Sequence, residues 1–395
     1  MVAQAKVPLI RLWLAVLAGY LALGATLQEM PTFVAHRFGG GPVLSATAVG
    51  IAFLATAVGR PFAGAAADHG RARAVVMLGG ILTMLGGLGH LVAPDPAVLL
   101  LSRLVMGAGE AALFSGALPW VLSGADPARQ GRVAGWFGLS MWGGLAAGPV
   151  LGAAVDSTSG YHGVWWMVVA LGVFSAGLTA ATPNQQHRAS ETIPPWGLAD
   201  VAPAGIGLPG LTFGLSAYGY GTVSALAVLY LRSFHSGGQA VVLSLFAIAF
   251  LVTRFAGSPL VDRFGGVVIA TWSLAVEGSG LLLAGLIRSE SAVLVGATLA
   301  GAGLALMYPS TVAVTLRRTT STRPGAVVGT VTSCWDLGIL AAGPIGGVLA
   351  VTAGYRVAFV VAAVLGIAAA TIAATLLRRP IRSATVRVPD TAQVR

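Results

Sequence analysis

The segment Arg103–Leu122 reads RLVMGAGEAALFSGALPWVL and carries two charges, Arg103 and Glu110, within an otherwise apolar run. Its 20 residues are enough for one helical crossing of a bilayer. Seven residues separate the two charges, so they share one face of the helix. Because a charge at mid-membrane is costly, such residues usually face a partner or a wet cavity. The segment therefore predicts a membrane helix that lines an ion or substrate path.

The rest of the chain is also strongly apolar. Of its 395 residues, 56% are hydrophobic and only 9% are charged, which lies far outside the range of soluble domains. The sequence therefore predicts an all-α membrane protein with twelve spans, each close to or above the roughly 20 residues that a crossing helix needs. The spans are predicted at residues 9–34, 44–66, 74–93, 98–122, 132–154, 164–182, 204–231, 240–261, 266–287, 291–316, 325–351 and 355–377.

Basic residues are distributed unevenly between the two sides that this topology defines. Sixteen of the 23 lie in the loops and tails of one side, and four lie in the loops of the other. Because basic loops stay in the cytoplasm, we expect both termini there, in the inner membrane of a bacterium. The net charge of +10 then follows from topology, so the expected partner is the lipid bilayer and no nucleic acid is expected.

A polar, proline-rich segment at 183–203 is the only long interruption of the apolar pattern, and it separates six spans from six. The halves repeat each other, because GLAAGPVLG at 144–152 returns as ILAAGPIGG at 339–347. Duplicated six-span halves are an arrangement of secondary transporters, whose substrate site lies near the midplane between the repeats. The predicted units are an N-terminal six-helix bundle, a cytoplasmic linker, a C-terminal six-helix bundle and a cytoplasmic tail, at 1–182, 183–203, 204–378 and 379–395.

Span 5 carries glycine at four-residue intervals. Gly144, Gly148 and Gly152 leave one face of the helix without side chains, so that a neighbouring helix can approach to backbone contact. Pro149 removes one helical hydrogen bond. Together with Gly135 upstream, this pattern predicts a helix that packs tightly and bends.

This glycine pattern and two further motifs resemble those of the major facilitator superfamily. The segment Gly64–Arg73 is similar to the family loop G-x-x-x-D-R-x-G-R-R, with His69 where arginine is usual. Arg103–Gly109 resembles the arginine motif of proton-coupled members. The spacing within Gly135–Gly152 resembles the span-5 signature of antiporters and departs from it only at Ala153.

The resemblance extends over essentially the whole chain. Gly24 with Pro31 resembles a weak signature of twelve-span drug exporters. The resemblance to a bacterial branch of arabinose-efflux or YhhS-like permeases rests on two segments, GAGEAALFSGALPW at 107–120 and CWDLGILAAGP at 334–344. The resemblance implies two six-helix halves around a central cavity and transport of a small molecule by alternating access.

The loop motif implies a set of gating residues. In the family, the loop aspartate meets a helix N-terminus and nearby arginines when the cavity faces out, which assigns this role to Asp68. The spacing of Arg60 and Asp68 recurs in the second half at Arg254 and Asp262. The predicted gating residues are Arg60, Asp68, Arg71, Arg73, Arg129, Arg132, Arg254 and Asp262.

Buried acids are the candidates for proton coupling. Glu29 has a predicted depth in span 1 similar to that of Arg103, so we expect it to hold that guanidinium. Glu110 has no adjacent base and is then the expected proton carrier. Asp336 in span 11 is interpreted either as part of the cavity wall or as a structural group, and Glu277 in span 9 as structural or interfacial. The predicted coupling residues are Glu110, Arg103, Glu29 and Asp336.

Spans 1, 4, 7 and 10 line the cavity in members of this family. Spans 7 and 10 contain Tyr218, Tyr220 and Tyr308, whose aromatic rings and hydroxyl groups suit a ligand that is partly apolar. Few other polar side chains occur in these spans, which disfavours a sugar.

We therefore expect a proton antiporter that exports a drug-like or amphiphilic small molecule. A proton symporter for uptake of a metabolite or sugar remains open, and so does a membrane sensor or scaffold without transport. An enzyme is not expected, because the chain contains no phosphate-binding loop, nucleophile elbow or metal cluster. We expect no cofactor and no metal, because the proton gradient supplies the energy. We also expect the protein to be a monomer.

Overall fold

The computed structural model describes residues 9–125, 130–183, 205–235, 237–319 and 324–375, and these ranges contain no strand. They form long helices, numbered here in chain order. Their bounds are α1 Leu9–Phe38, α2 Pro42–Ala66, α3 Ala72–Val92, α4 Pro96–Ser123, a continuous run Gln130–Ala180 that holds α5 (130–159) and α6 (161–180), α7 Gly207–Arg232, α8 Val242–Phe264, α9 Gly266–Leu286, α10 Glu290–Thr315, α11 Pro324–Thr352 and α12 Tyr355–Thr375. The predicted linker, apart from Pro183, and the predicted tail lie outside the described residues.

The run Gln130–Ala180 crosses the membrane twice. Its apolar part, Gly135–Ala180, has 46 residues and would be about 69 Å long at 1.5 Å per residue, more than twice the thickness of the hydrocarbon core. Gly160 interrupts it with φ 62° and ψ −175°, a conformation that glycine adopts readily. Ten described helices are long and apolar enough to cross a membrane. Counting this run twice and adding α8 gives the twelve crossings that the sequence predicts.

The helices form two groups of six with similar internal packing. In the N-bundle, α1–α6, helix α1 packs along α5 and α6, while α3 packs along α4 and α6. In the C-bundle, α7–α12, helix α7 packs along α11, while α9 packs along α10 and α12. The bundles meet mainly where α2 contacts α11 and where α5 contacts α8. This arrangement confirms the predicted pair of six-helix pseudo-repeats.

The outer surface of the bundles is apolar. Large side chains such as Trp166, Phe255 and Trp272 are 59%, 68% and 67% exposed, respectively. A soluble monomer does not usually present such residues along several helices, whereas a lipid-facing surface requires them. The exposed aromatic and aliphatic side chains are therefore the contact surface for acyl chains.

The glycine face of α5 packs against α1. A Cβ atom on Gly148 would lie 2.5 Å from the Cα of Gly24, and one on Gly152 would lie 3.0 Å from the Cα of Ala25. Gly144 likewise contacts the backbone of α1. The predicted close packing is thus present at three positions. Gly135 has no neighbour within 4 Å of a built Cβ and is not part of this contact.

The two bundles are in contact at the end opposite the start of α1 and the end of α12, which we name the opposite face. Here α2 begins and α11 ends. A Cβ atom on Gly343 would lie 2.5 Å from the carbonyl oxygen of Ala46, and one on Gly347 would lie 2.7 Å from the Cα of Val43. Small residues on α11 therefore allow it to pack against the backbone of α2 and close the bundles at this face.

Candidate functional site

A small cavity lies between the two bundles. Its wall comes from α1 and α5 on one side and from α7, α8 and α10 on the other. The wall includes Leu27, Trp142, Pro149, Tyr220, Phe246 and Phe250. Its polar groups are few, chiefly the Trp142 indole and the hydroxyls of Tyr220 and Ser224. No described residue of this wall is charged, so the cavity suits a ligand whose surface is largely apolar or aromatic.

Trp142 is at the centre of an aromatic cluster that joins the bundles. Its ring centroid lies 4.8 Å from that of Trp335, 5.3 Å from Tyr308, 6.1 Å from Phe250 and 6.4 Å from Phe213. All four partners belong to the C-bundle, whereas Trp142 belongs to α5. The cluster would have to rearrange when the bundles separate, because ring contacts of this kind are short-ranged.

The three predicted cavity tyrosines have different positions. Tyr220 borders the cavity, and Tyr308 packs behind Trp142. Tyr218 is buried and does not border this cavity, so its predicted place in the substrate path stays a prediction. Residues two positions apart on a helix differ by about 200°, and therefore Tyr218 and Tyr220 point to nearly opposite sides of α7. Sequence reasoning missed Trp142, Phe246 and Phe250, because it considered only spans 1, 4, 7 and 10.

A buried ion pair connects the bundles next to this cluster. In α2, Arg60 donates from Nε to Oδ2 of Asp336 at 2.5 Å and from Nη2 to Oδ1 at 3.2 Å. The side chains are only 3% and 1% exposed. Such a two-point pair between a guanidinium and a carboxylate fixes orientation as well as charge. Arg60 faces α11 in the centre of the molecule, away from the loop after α2, and its gating role stays a prediction.

Glu110 is completely buried in the middle of α4. Neither carboxyl oxygen has a hydrogen-bond partner among the described residues. The charges of Arg103, Arg60 and Asp336 are close enough to act on it. Because an isolated ionised carboxylate is very costly in apolar surroundings, this conformation accommodates Glu110 in its neutral form.

Tyr20 connects Glu110 with the ion pair. Its hydroxyl donates to the main-chain oxygen of Glu110 at 3.2 Å and accepts from Nη2 of Arg60 at 3.5 Å. The hydroxyl is therefore shared between α4 and α2. A change in the position of Arg60 can reach the backbone of α4 through this single side chain.

Arg103 is held by main-chain oxygens and not by an acid. Its Nε donates to the carbonyl of Ala48 at 2.9 Å, its Nη2 to that of Val49 at 3.2 Å, and its Nη1 to the hydroxyl of Thr26 at 2.7 Å. Both carbonyls lie just before Ile51, where α2 is interrupted between its segments Pro42–Gly50 and Ala52–Ala66.

The predicted pairing of Glu29 with Arg103 is therefore wrong. Thr26 lies about one turn nearer the middle of α1 and occupies that place. Glu29 is buried near the opposite face, where the charges acting on it are those of Asp156 and Arg232. It thus faces the end of α7 in the C-bundle and is separate from the site around Glu110.

The family follows from a comparison of the whole sequence. Residues 12–206 and 210–392 match the model of the Major Facilitator Superfamily, one match for each half. The chain belongs to the Major Facilitator Superfamily. It is accordingly a multi-pass membrane transporter and, as expected, not an enzyme.

Relatives extend over almost the full length of this facilitator. The chain is 31% identical over 382 residues to an uncharacterised MFS-type transporter of Salmonella typhimurium, STM4428, covering 95% of this chain and 97% of that one. It is 29% identical over 372 residues to the uncharacterised MFS-type transporter YhhS of Escherichia coli K12, covering 92% and 91% of the two chains. The human organic anion transporter MFSD10 shares the fold, with a TM-score of 0.71 at 18% identity over 94% of this chain and 100% of that one.

The loop of the facilitator that follows α2 is a tight turn at Ala67–Arg71. Gly70 has φ 80°, which favours glycine. The side chains of Asp68 and Arg132, and all of Arg129, lie outside the described residues, so their gating roles stay predictions. Arg71 is exposed.

Arg73 contacts the end of α6 instead of a gating acid. It donates to the carbonyl of Ala180, and Arg11 donates to the next carbonyl, that of Ala181, at 3.1 Å. Cations at a helix C-terminus are favourable because they meet its partial negative charge. The observed contact of Arg73 is therefore a stabilising one within the N-bundle, and its gating role stays a prediction.

In the C-bundle, Arg254 and Asp262 repeat the spacing of Arg60 and Asp68, and they lie in different surroundings. Arg254 is buried, donates to the carbonyl of Ala305 at 3.2 Å, and lies 5.9 Å from the centre of the Tyr308 ring. That carbonyl is at the interruption of α10 between Leu304 and Met307. Asp262 is exposed at the end of α8. Arg254 thus packs beside Tyr308 behind the cavity, and its gating role stays a prediction.

Proposed function

We propose that this transporter exports a small amphiphilic organic molecule in exchange for protons by alternating access. The observation that carries the proposal is Glu110, a fully buried carboxyl group without a hydrogen-bond partner in the described part of the chain. Tyr20 joins the main-chain oxygen of Glu110 to the ion pair that connects the bundles, and the charges of that pair act on the Glu110 carboxyl group. A proton on Glu110 and the separation of the bundles can therefore affect each other, which antiport requires.

The character of the cavity supports an apolar or aromatic substrate. Four of the twelve residues that line it are aromatic and seven are aliphatic, and hydroxyl groups are few. A sugar would need more hydrogen-bond partners than this wall offers, since unpaired hydroxyl groups are costly to bury. Neither a cofactor nor a second copy of the chain enters the proposal, and the proton gradient is the energy source.

Direction of coupling is tested in proteoliposomes with an internal pH-sensitive dye. The vesicles are loaded in turn with members of a panel of amphiphiles, sugars and siderophore-like compounds and are then diluted into substrate-free buffer. For an antiporter, substrate leaving the vesicle draws protons in, and the lumen becomes more acidic. A symporter would make the lumen more alkaline, and a sensor or scaffold would release no substrate. Either of these results would overturn the proposal, whatever the orientation of the protein in the vesicle.

We also propose that both chain termini and the segment 183–203 are cytoplasmic in a bacterial inner membrane. The uneven distribution of basic residues supports this orientation. With it, the closed opposite face is the outer one, and Asp68 belongs to a gate on the cytoplasmic side. A cysteine at Arg188, in a Cys334→Ser background, should react with an impermeant maleimide only after permeabilisation. A cysteine at Arg288 should react in intact cells and is the control. Labelling at 188 from outside would contradict the topology.

A further inference from the structure

Glu277 is a buried acid that the scheme above does not use. It lies in the middle of α9 and is 1% exposed. The hydroxyl of Ser216, on α7, donates to its Oε2 at 2.5 Å. Its other oxygen faces Gly219, where a Cβ atom would come within 2.5 Å of Oε1. Glycine at this position leaves the space that the carboxyl group occupies.

A third helix completes this site. A Cβ atom on Gly303 of α10 would lie 2.5 Å from the main-chain nitrogen of Glu277, so α10 packs directly on the backbone of α9 here. The carboxyl group is therefore enclosed where α7, α9 and α10 meet. Two of these helices border the substrate cavity, through Tyr220 and Leu304.

No opposite charge compensates Glu277 in this position. The helices packed against α9 are α7, α8, α10 and α12. Their charged residues within the described ranges, including the continuation of α10 to Arg318, are Arg232, Arg254, Asp262, Arg263, Glu290, Arg317, Arg318 and Arg356. None of them exerts an appreciable electrostatic effect on Glu277, whose only polar side-chain contact among the described residues is Ser216. The packed arrangement thus accommodates a neutral carboxyl group, because a single hydroxyl does not replace the hydration of a carboxylate.

Through Ser216, the protonation state of Glu277 can affect α7, the helix that also carries the cavity residue Tyr220. Ser216 lies one helical turn before Tyr220, on the same helix. Loss of the proton would place a negative charge between α7 and α9, and the charge could be stabilised only by water entering as the helices separate. Protonation would restore the packed contact. The position of α7 and the proton on Glu277 are therefore linked.

We propose that Glu277 is a second proton-binding residue, located in the C-bundle, whose protonation holds α7 against α9. The step is the binding of one proton by one carboxylate, and no other bond changes. The proposal rests on the proton coupling proposed above and extends it, since it predicts one more proton-binding site than Glu110 alone. Glu277 was interpreted from the sequence as structural or interfacial, and its burial against α7 is the new observation.

Infrared difference spectroscopy of the purified protein in lipid tests this proposal without any transport step. When the pH is raised, the carbonyl stretch of a protonated carboxylic acid should disappear in the wild type. The part of this signal due to residue 277 should be absent in Glu277→Gln. It should be present in Glu290→Gln, which is the matched control. Ser216→Ala removes the hydrogen bond but keeps the acid, so it should shift the signal without removing it.

Two results would overturn the second site. A pH-dependent signal that is identical in the wild type and in Glu277→Gln would show that this carboxyl group does not titrate. Equal spectral changes in Ser216→Ala and Glu277→Gln would show that the pair is only a structural contact. If the wild type shows the signal from residue 277 but moves no protons with substrate in vesicles, the proposed antiport fails and the second proton-binding site stands. Failure of the second site and failure of the proposed function are therefore distinguishable.

Discussion

The Asp336→Asn variant is expected to lose most of its transport, by roughly tenfold or more, because Arg60 then stays buried without its partner. Breaking a buried ion pair on one side typically costs about 3–5 kcal/mol, and every 1.4 kcal/mol is a factor of ten in an equilibrium. The pair connects α2 of the N-bundle with α11 of the C-bundle. The loss should therefore appear both in thermal stability, measured on detergent-solubilised protein, and in the population of the closed conformer, measured by spin-label distances across the opposite face.

A double variant separates the structural from the functional role of this pair. Arg60→Gln with Asp336→Asn leaves no uncompensated charge, and replacing both members of a buried pair is often close to neutral for stability. Its thermal stability should recover most of the loss, while transport should stay low, since the charge pair that must separate is gone. If the double variant transports as well as the wild type, the pair serves only for folding. Asp336→Glu, which keeps the charge, should retain part of the transport.

The length and number of the helices were predictable because they depend on local composition. A run of apolar residues must satisfy its backbone within one helix, wherever the rest of the chain lies. The spacing of Gly144, Gly148 and Gly152 likewise predicted a close contact, since small residues at one-turn intervals make a flat face. It did not identify α1 as the partner or exclude Gly135, because both depend on how the helices are arranged.

The partners of the buried charges were not predictable in the same way. Arg60 and Asp336 are 276 positions apart, and nothing in either span specifies the other. Arg103 was expected to need an acid, yet the interruption of α2 at Ile51 brings carbonyl oxygens to it. No proline occurs near Ile51 to signal that interruption. The error at Glu29 thus came from assuming that a buried cation must meet a carboxylate, although main-chain oxygens are equally able to accept its hydrogen bonds.

The Glu110→Gln variant is expected to separate proton coupling from substrate movement. Glutamine has nearly the volume of glutamic acid and does not titrate, so the cavity and the ion pair should persist. For one proton exchanged per neutral substrate, a gradient of one pH unit can sustain about tenfold accumulation, since one unit corresponds to 1.36 kcal/mol. We expect that ratio to fall to about one in the variant, while exchange of labelled for unlabelled substrate continues.

Glu290→Gln is the matched control for this measurement, because it removes a carboxyl group at the first turn of α10 and away from Glu110. It should keep both accumulation and exchange. Arg103→Ala should impair both, because α1, α2 and α4 lose the side chain that holds them together at Thr26 and Ala48. Proton flux, followed with a pH-sensitive dye beside labelled-substrate flux, distinguishes these cases. Full proton coupling in Glu110→Gln would remove Glu110 from the mechanism and leave Glu277, Asp336 or Glu29 as the group that titrates. Asp336 would then have to release Arg60 each time it binds a proton.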